Sequence, residues 1–208
     1  MNLLVLGATG PTGRHLVDLA LKGGDEVTVL ARRPEALDGL AGRITVVAGD
    51  ATSRDDVAKA MVGQDTVVSA LGRSRSIRAD GLFTRAAGAV LGAAHETGVA
   101  RLVWLSSFGV GATYRAASTT QKTIYSTLLR NIYADKAASE QAIRASALNW
   151  TLVYPTMLTD GPAQGTYLVG ERLPMKGNPT ISRADVADFL YKAAHDPEWI
   201  HRDAVLTD

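Results

Sequence analysis

The sequence predicts a doubly wound α/β fold, a parallel sheet with helices on both faces, in one domain spanning residues 1–208. Two observations predict it. Six apolar runs, Leu3–Leu6, Val27–Leu30, Ile44–Val47, Thr66–Ser69, Leu102–Leu105 and Thr151–Val153, recur with helical segments between them. Each is short, rich in β-branched residues and bounded by Gly, Asp or Asn, and none alternates with polar residues, as expected of strands buried on both faces. The second observation is the stretch Gly7-Ala8-Thr9-Gly10-Pro11-Thr12-Gly13, set between the first run and an amphipathic helix that carries Leu16, Leu19 and Ala20.

A glycine-rich turn between a strand and a helix is where a Rossmann-type sheet binds a dinucleotide pyrophosphate. Gly7 permits the tight turn, Gly10 lets backbone N–H groups approach phosphate oxygens, and Gly13 lets the helix pack closely. The positive end of the helix then faces the anion. The second strand, Glu26 to Leu30, runs into Ala31-Arg32-Arg33-Pro34. An acidic residue there would bind the adenosine ribose and repel a 2′-phosphate, so two guanidinium groups favour NADP over NAD. Exposed loop charges are the plain alternative. Gly49-Asp50-Ala51 closes the third strand, where Asp50 can accept from the adenine amino group or serve as a turn residue. Ser69-Ala70-Leu71-Gly72 closes the fourth with small residues that let backbone run close to the ribose and pyrophosphate.

Helix starts are marked by caps. Ser53 with Asp56, and Ser182 with Asp185, read as capping boxes, and both aspartates read as structural. Further helices are expected from about Asp80 to Thr97 and from Gln121 to Ala145, with Ala, Leu and Ile at helical spacing. Between Pro155 and Pro179 eight Gly and Pro residues break any long helix, so residues 155–180 read as a long loop with one short strand at most, a lid or wall on the substrate side.

Composition narrows the function. A net charge of +1 without a long basic block argues against nucleic acid as the main ligand. Arg73, Arg75 and Arg78 form the nearest approach to a basic patch and read as solvated loop charges before a contact for an acidic substrate. The absence of cysteine removes disulfides, thiol catalysis and zinc–thiolate sites. His15, His95, His195 and His201 show no metal-ligand spacing, so no metal is expected. No apolar run is long enough to span a bilayer and the chain starts in a core strand, so a soluble cytoplasmic protein, monomeric or a small homo-oligomer, is expected.

Taken together, GATGPTG, Ala31-Arg32-Arg33, Gly49-Asp50-Ala51, Trp104-Leu105-Ser106-Ser107, Lys136 with Glu140, the run Leu148 to Pro155, Leu158-Thr159-Asp160-Gly161-Pro162 and Ile181 to Ala187 resemble the atypical short-chain dehydrogenase/reductases. The nearest likeness is to the NAD(P)H-binding proteins similar to biliverdin/flavin reductase and to the NmrA-like proteins. The resemblance implies that Thr9, Gly10, Pro11 and Thr12 surround the pyrophosphate and that Arg32 meets the 2′-phosphate. It implies that Ser107 and Lys136 lie by the nicotinamide ribose and that Pro155, Thr156 and Met157 pass beside the carboxamide, with Tyr154 on the same wall. Two departures stand out. Members with a proton-donating tyrosine place it four residues before the lysine, which here is Ile132; the available Tyr133 stands three before Lys136. It is either a catalytic acid or an anchor for its helix. Tyr154 occupies a position where many relatives carry arginine.

Ketone reduction needs a proton donor, whereas reduced flavins and quinones are stable anions that take a proton from water. The missing tyrosine spacing therefore points to an NADPH-dependent reductase of a flavin, quinone or similar conjugated acceptor. Phe108, Tyr114, Tyr125, Met157 and Leu158 suit a flat ring, or are simply core. A non-catalytic NADP(H) sensor, or a ketone reductase or isomerase, is the alternative.

Overall fold

The computed structural model of the chain describes residues 1–72, 80–175 and 177–208. Among the described residues seven strands run parallel: β1 (Asn2–Leu6), β2 (Glu26–Ala31), β3 (Thr45–Ala48), β4 (Thr66–Ser69), β5 (Arg101–Leu105), β6 (Asn149–Pro155) and β10 (Arg202–Thr207). A short antiparallel strand, β8 (Leu168–Gly170), closes one edge, giving the order β3-β2-β1-β4-β5-β6-β10-β8. The order reverses between β1 and β4. That reversal opens a crevice at the carboxyl ends of the two strands, the place where open α/β sheets bind ligands.

Helices α1 (Pro11–Lys22) and α6 (Arg183–His195) cover one face, packed on Leu3, Val5, Val29 and Val68. Helices α2 (Arg54–Met61), α3 (Leu82–Thr97) and α5 (Arg130–Arg144) cover the other, packed on Leu4, Leu6, Val67 and Trp104. Successive strand residues thus feed opposite cores, which is why the runs are continuously apolar. Near the end of α6, Arg101 is buried at the start of β5 and donates to the Asn149 and Ala193 carbonyls and to Thr151 Oγ1. Burial lowers its pKa to about 10, against the opposing charge of Asp196.

Four expectations need correction. Edge strand β3 is largely exposed, because it pairs on one side alone, with β2. The helix expected from Gln121 to Ala145 is two, α4 (Thr119–Thr127) and α5, broken where the Ile124 carbonyl accepts from both the Leu128 and Leu129 N–H groups. Residues 155–180 hold three short strands, β7 (Met157–Thr159), β8 and β9 (Thr180–Ser182), of which β7 and β9 pair in parallel. Ser53 caps α2, but Asp56 does not reach back to it; its carboxylate accepts from the Asp50 N–H at 3.0 Å. Asp185 is structural as expected. It is fully buried, accepts from Ser182 Oγ at 2.7 Å and from the Gly165 N–H at 2.9 Å, and so fastens the 155–180 segment to the start of α6. The Arg73, Arg75 and Arg78 patch lies outside the described residues.

Candidate active site

The glycine turn between β1 and α1 sits at the mouth of the crevice. Gly7 has a φ of +85°, and a Cβ there would lie 2.7 Å from the Ala70 carbonyl oxygen at the end of β4. Only glycine adopts that conformation without strain at so close an approach. A Cβ on Gly13 would stand 2.2 Å from the Gly7 carbonyl oxygen, so Gly13 seats α1 directly on the turn. Gly10 differs: its φ of −78° and ψ of 161° suit any residue, and a Cβ would meet only the Gly7 oxygen, at 3.3 Å. Fold packing does not demand glycine there, and the free space faces the helix N-terminus. That terminus has Pro11 in its first turn, lacks a side-chain cap, and begins its ladder with Arg14 donating to Gly10. Uncapped N–H groups at a positive helix end beside a side-chain-free turn fit a pyrophosphate. Thr12 is buried beside this turn, and Thr9 and Pro11 stand on its outer side.

Arg32 and Arg33 are exposed beyond the end of β2. Asp50 Oδ1 accepts from the Thr52 N–H at 2.8 Å and from its hydroxyl at 2.9 Å. Those bonds, with the charges of Arg32 and Arg85, hold the Asp50 carboxyl below the usual range. Asp50 is therefore a turn residue first, one oxygen being committed to the backbone. Arg85, on the first turn of α3, is a cation of this region that sequence reasoning missed; no local pattern marks it. Ala51 is half-buried against the α3 side of the core. Ala70 is buried, its N–H bonded to the Leu6 carbonyl; Leu71 packs on the core, and Gly72 has open space around it.

At the other end of the crevice Lys136 and Ser107 meet, with the ammonium donating to Ser107 Oγ at 2.7 Å. Lys136 is 7% exposed and lies 4.7 Å from the centre of the Phe83 ring. Phe83 is held there by Asp135, whose carboxylate accepts from the Phe83 and Thr84 N–H groups and so caps α3 from α5. Desolvation lowers the Lys136 pKa to about 8. The Tyr133 hydroxyl is engaged elsewhere: it donates to the Phe108 carbonyl at 3.1 Å, its ring lies 4.8 Å from that of Tyr125, and burial pushes its pKa far up. That is the geometry of an anchor. Tyr133→Phe is accordingly expected to change turnover by less than about tenfold, against the roughly 10²–10⁴-fold loss of removing a general acid; steady-state kinetics of the variant decides it.

Tyr154 faces α5. It is buried on the α5 side of β6, with its hydroxyl donating to Glu140 Oε2 at 3.0 Å and accepting from Arg144 at 3.0 Å, so its side chain is committed to those two groups. Strand alternation explains this, since Trp150, Leu152 and Tyr154 share one face. Pro155 and Thr156 are buried at the end of β6, tied to Phe108 and Leu206 by backbone bonds. Met157 is 62% exposed, Leu158 half-buried and Tyr114 exposed at the rim. Phe108 is core, and Tyr125 packs over Gly109, where a Cβ would lie 2.3 Å from its ring. Glu140 was read only as part of a resemblance. Its signal was the buried stripe of α5, Lys136, Ser139, Glu140 and Ile143, which is polar where a core stripe should be apolar.

A family model described as NAD(P)H-binding matches residues 7–197. The chain belongs to this NAD(P)H-binding family. Isoflavone reductase of Pisum sativum is 22% identical over 237 residues, covering 97% of this chain and 68% of the relative. YhfK of Bacillus subtilis (strain 168), named an uncharacterized sugar epimerase, is 25% identical over 214 residues, covering 100% of this chain and 94% of the relative. Among solved structures, ChuY, an anaerobilin reductase from Escherichia coli O157:H7, aligns with a TM-score of 0.83 at 25% identity, covering 99% of this chain and 96% of ChuY. The expected fold class and the NAD(P)H cofactor are thus borne out, and the chain is an NAD(P)H-dependent oxidoreductase by family. Among the described residues no helix is long and apolar enough to cross a membrane.

Proposed function

We propose that this chain is an NADPH-dependent reductase that delivers hydride to a flavin, quinone or similar conjugated small molecule. The observation that carries this reading is the Lys136–Ser107 pair at the end of β5, with the neighbouring Tyr133 hydroxyl already spent on a backbone carbonyl. Bound NADPH supplies the hydride. The uncapped start of α1 and the space at Gly10 hold the pyrophosphate, Arg32 and Arg33 take the 2′-phosphate, and Pro155 to Met157 run beside the carboxamide. Ser107 and Lys136 orient the ribose. A conjugated acceptor gains negative charge as it is reduced. The Lys136 ammonium, desolvated and fixed by Ser107, stabilises that charge, after which water supplies the proton. Isoflavone reductase and ChuY, reductases by name, support this class of chemistry.

The 2′-phosphate assignment has its own test. NADPH should bind at least about tenfold more tightly than NADH, since one charge-assisted hydrogen bond contributes roughly 1.5–3 kcal/mol. Arg32→Ala should remove most of that preference and leave NADH affinity nearly unchanged. Equal affinities in the unaltered protein, measured by fluorescence titration, contradict the assignment. The reaction itself is tested by whether purified protein oxidises NADPH faster with FMN, a quinone or a ketone present.

A further inference from the structure

Glu140 is an ionisable side chain buried as deeply as Lys136, 3% exposed, and it follows Lys136 by one turn of α5 on the same face. Its carboxylate receives two donors, Ser106 Oγ on one oxygen and the Tyr154 hydroxyl on the other. Both donors are neutral. The guanidinium of Arg144 bonds the Tyr154 hydroxyl and pairs with Asp203 at 2.5 Å without a hydrogen bond to Glu140, while its charge and that of Lys136 both favour the Glu140 carboxylate against a burial that raises its pKa. Burying a carboxylate with only neutral donors is costly unless its charge serves a partner. The second carboxylate near Lys136, Asp135, is bound to the start of α3. Among the described residues, the cavity of about 280 Å³ beside Glu140 is lined by Gly111, Ala112, Ala137, Gln141 and the charged pair Arg144 and Asp203, and α3 places the Phe83 ring 4.7 Å from the ammonium. Ser106 and Ser107, adjacent at the end of β5, point to opposite partners. One fixes the carboxylate and the other the ammonium.

We infer that Glu140 is the buried counter-charge that keeps Lys136 in its ammonium form, with Tyr154 and Ser106 holding the carboxylate by neutral donors that leave its charge intact. Glu140 is a positioning residue and acts through Lys136. This rests on the reading of Lys136 as the cation of the site.

The test follows the Lys136 ammonium directly, by NMR titration of protein labelled at lysine Cε, the Lys136 signal being identified by its loss in Lys136→Met. The midpoint, expected near pH 8 in the unaltered protein, should fall by about one unit in Glu140→Gln. Tyr154→Phe, which removes a neutral donor, should move it far less. An unchanged midpoint in a folded Glu140→Gln variant overturns the inference. Should that variant fail to fold, the unaltered protein still decides. Its Glu140 carboxyl carbon, followed through the same titration, should show a second inflection at the Lys136 midpoint, and a single inflection overturns the inference equally. NADPH oxidation assays judge the reductase reading separately. A shifted midpoint in a protein that reduces no acceptor keeps the Glu140–Lys136 coupling and discards the reaction.

Discussion

Replacing Lys136 with methionine is expected to lower turnover with a conjugated acceptor by about 10²–10³-fold, the loss that follows removal of one preorganised donor facing developing negative charge. Methionine keeps the length and apolar stem that lie against Phe83, so the fold should persist and circular dichroism should stay native. The pH dependence has a definite sign. Burial lowers the Lys136 pKa to about 8, so the ammonium is present below that pH and lost above it. Turnover of the unaltered protein should therefore fall as pH rises through 8. In Lys136→Met the residual rate should not show that fall. Steady-state rates on both sides of that pH, at saturating NADPH, check both statements.

The second large effect separates two glycines of one turn. Gly10→Val should abolish NADPH binding while leaving the thermal midpoint close to native, because a Cβ there meets only the Gly7 oxygen at 3.3 Å and otherwise enters the space proposed for phosphate. Gly13→Val should act on the fold. Its Cβ would lie 2.2 Å from the Gly7 oxygen and 2.7 Å from the Ala8 Cα, both backbone atoms that cannot turn aside. Overpacking of this kind costs about 1–3 kcal/mol or more. Calorimetry with NADPH beside thermal unfolding distinguishes the two. Retained NADPH binding in Gly10→Val would place the dinucleotide elsewhere.

The parts of this fold legible in the sequence are those whose physics is local. Five parallel strands announced themselves because burial on two faces leaves a continuous apolar run, exposed β3 showed through its apolar run alone, and the glycine turn announced itself because Gly7 and Gly13 answer to close backbone contacts. β10 was missed. Its apolar stretch is only Ala204–Leu206, and it is a strand because it pairs with β6 about fifty residues away. β7 and β9 are three residues each and exist through one another, a pairing that no local pattern reports. The break between α4 and α5 hid because apolar spacing continues through Leu128 and Leu129. At the site, Lys136 and Ser107 were named from a resemblance, and their 2.7 Å bond gives that pairing a geometry. The direction of Tyr154 was available from strand alternation, yet its proximity to Pro155 outweighed it. Glu140 was harder, since its partners Ser106 and Tyr154 come from two different strands and meet only in the folded chain.

The most direct measurement is the rate of NADPH oxidation by the purified protein, read at the nicotinamide absorbance, with FMN, a benzoquinone or a simple ketone added in turn. An NADPH-dependent reductase of conjugated acceptors should oxidise NADPH markedly faster with the flavin or the quinone than with the ketone, and faster than it oxidises NADH. Tight NADPH binding with no acceptor-stimulated oxidation, or stimulation by the ketone alone that collapses in Tyr133→Phe, would contradict it.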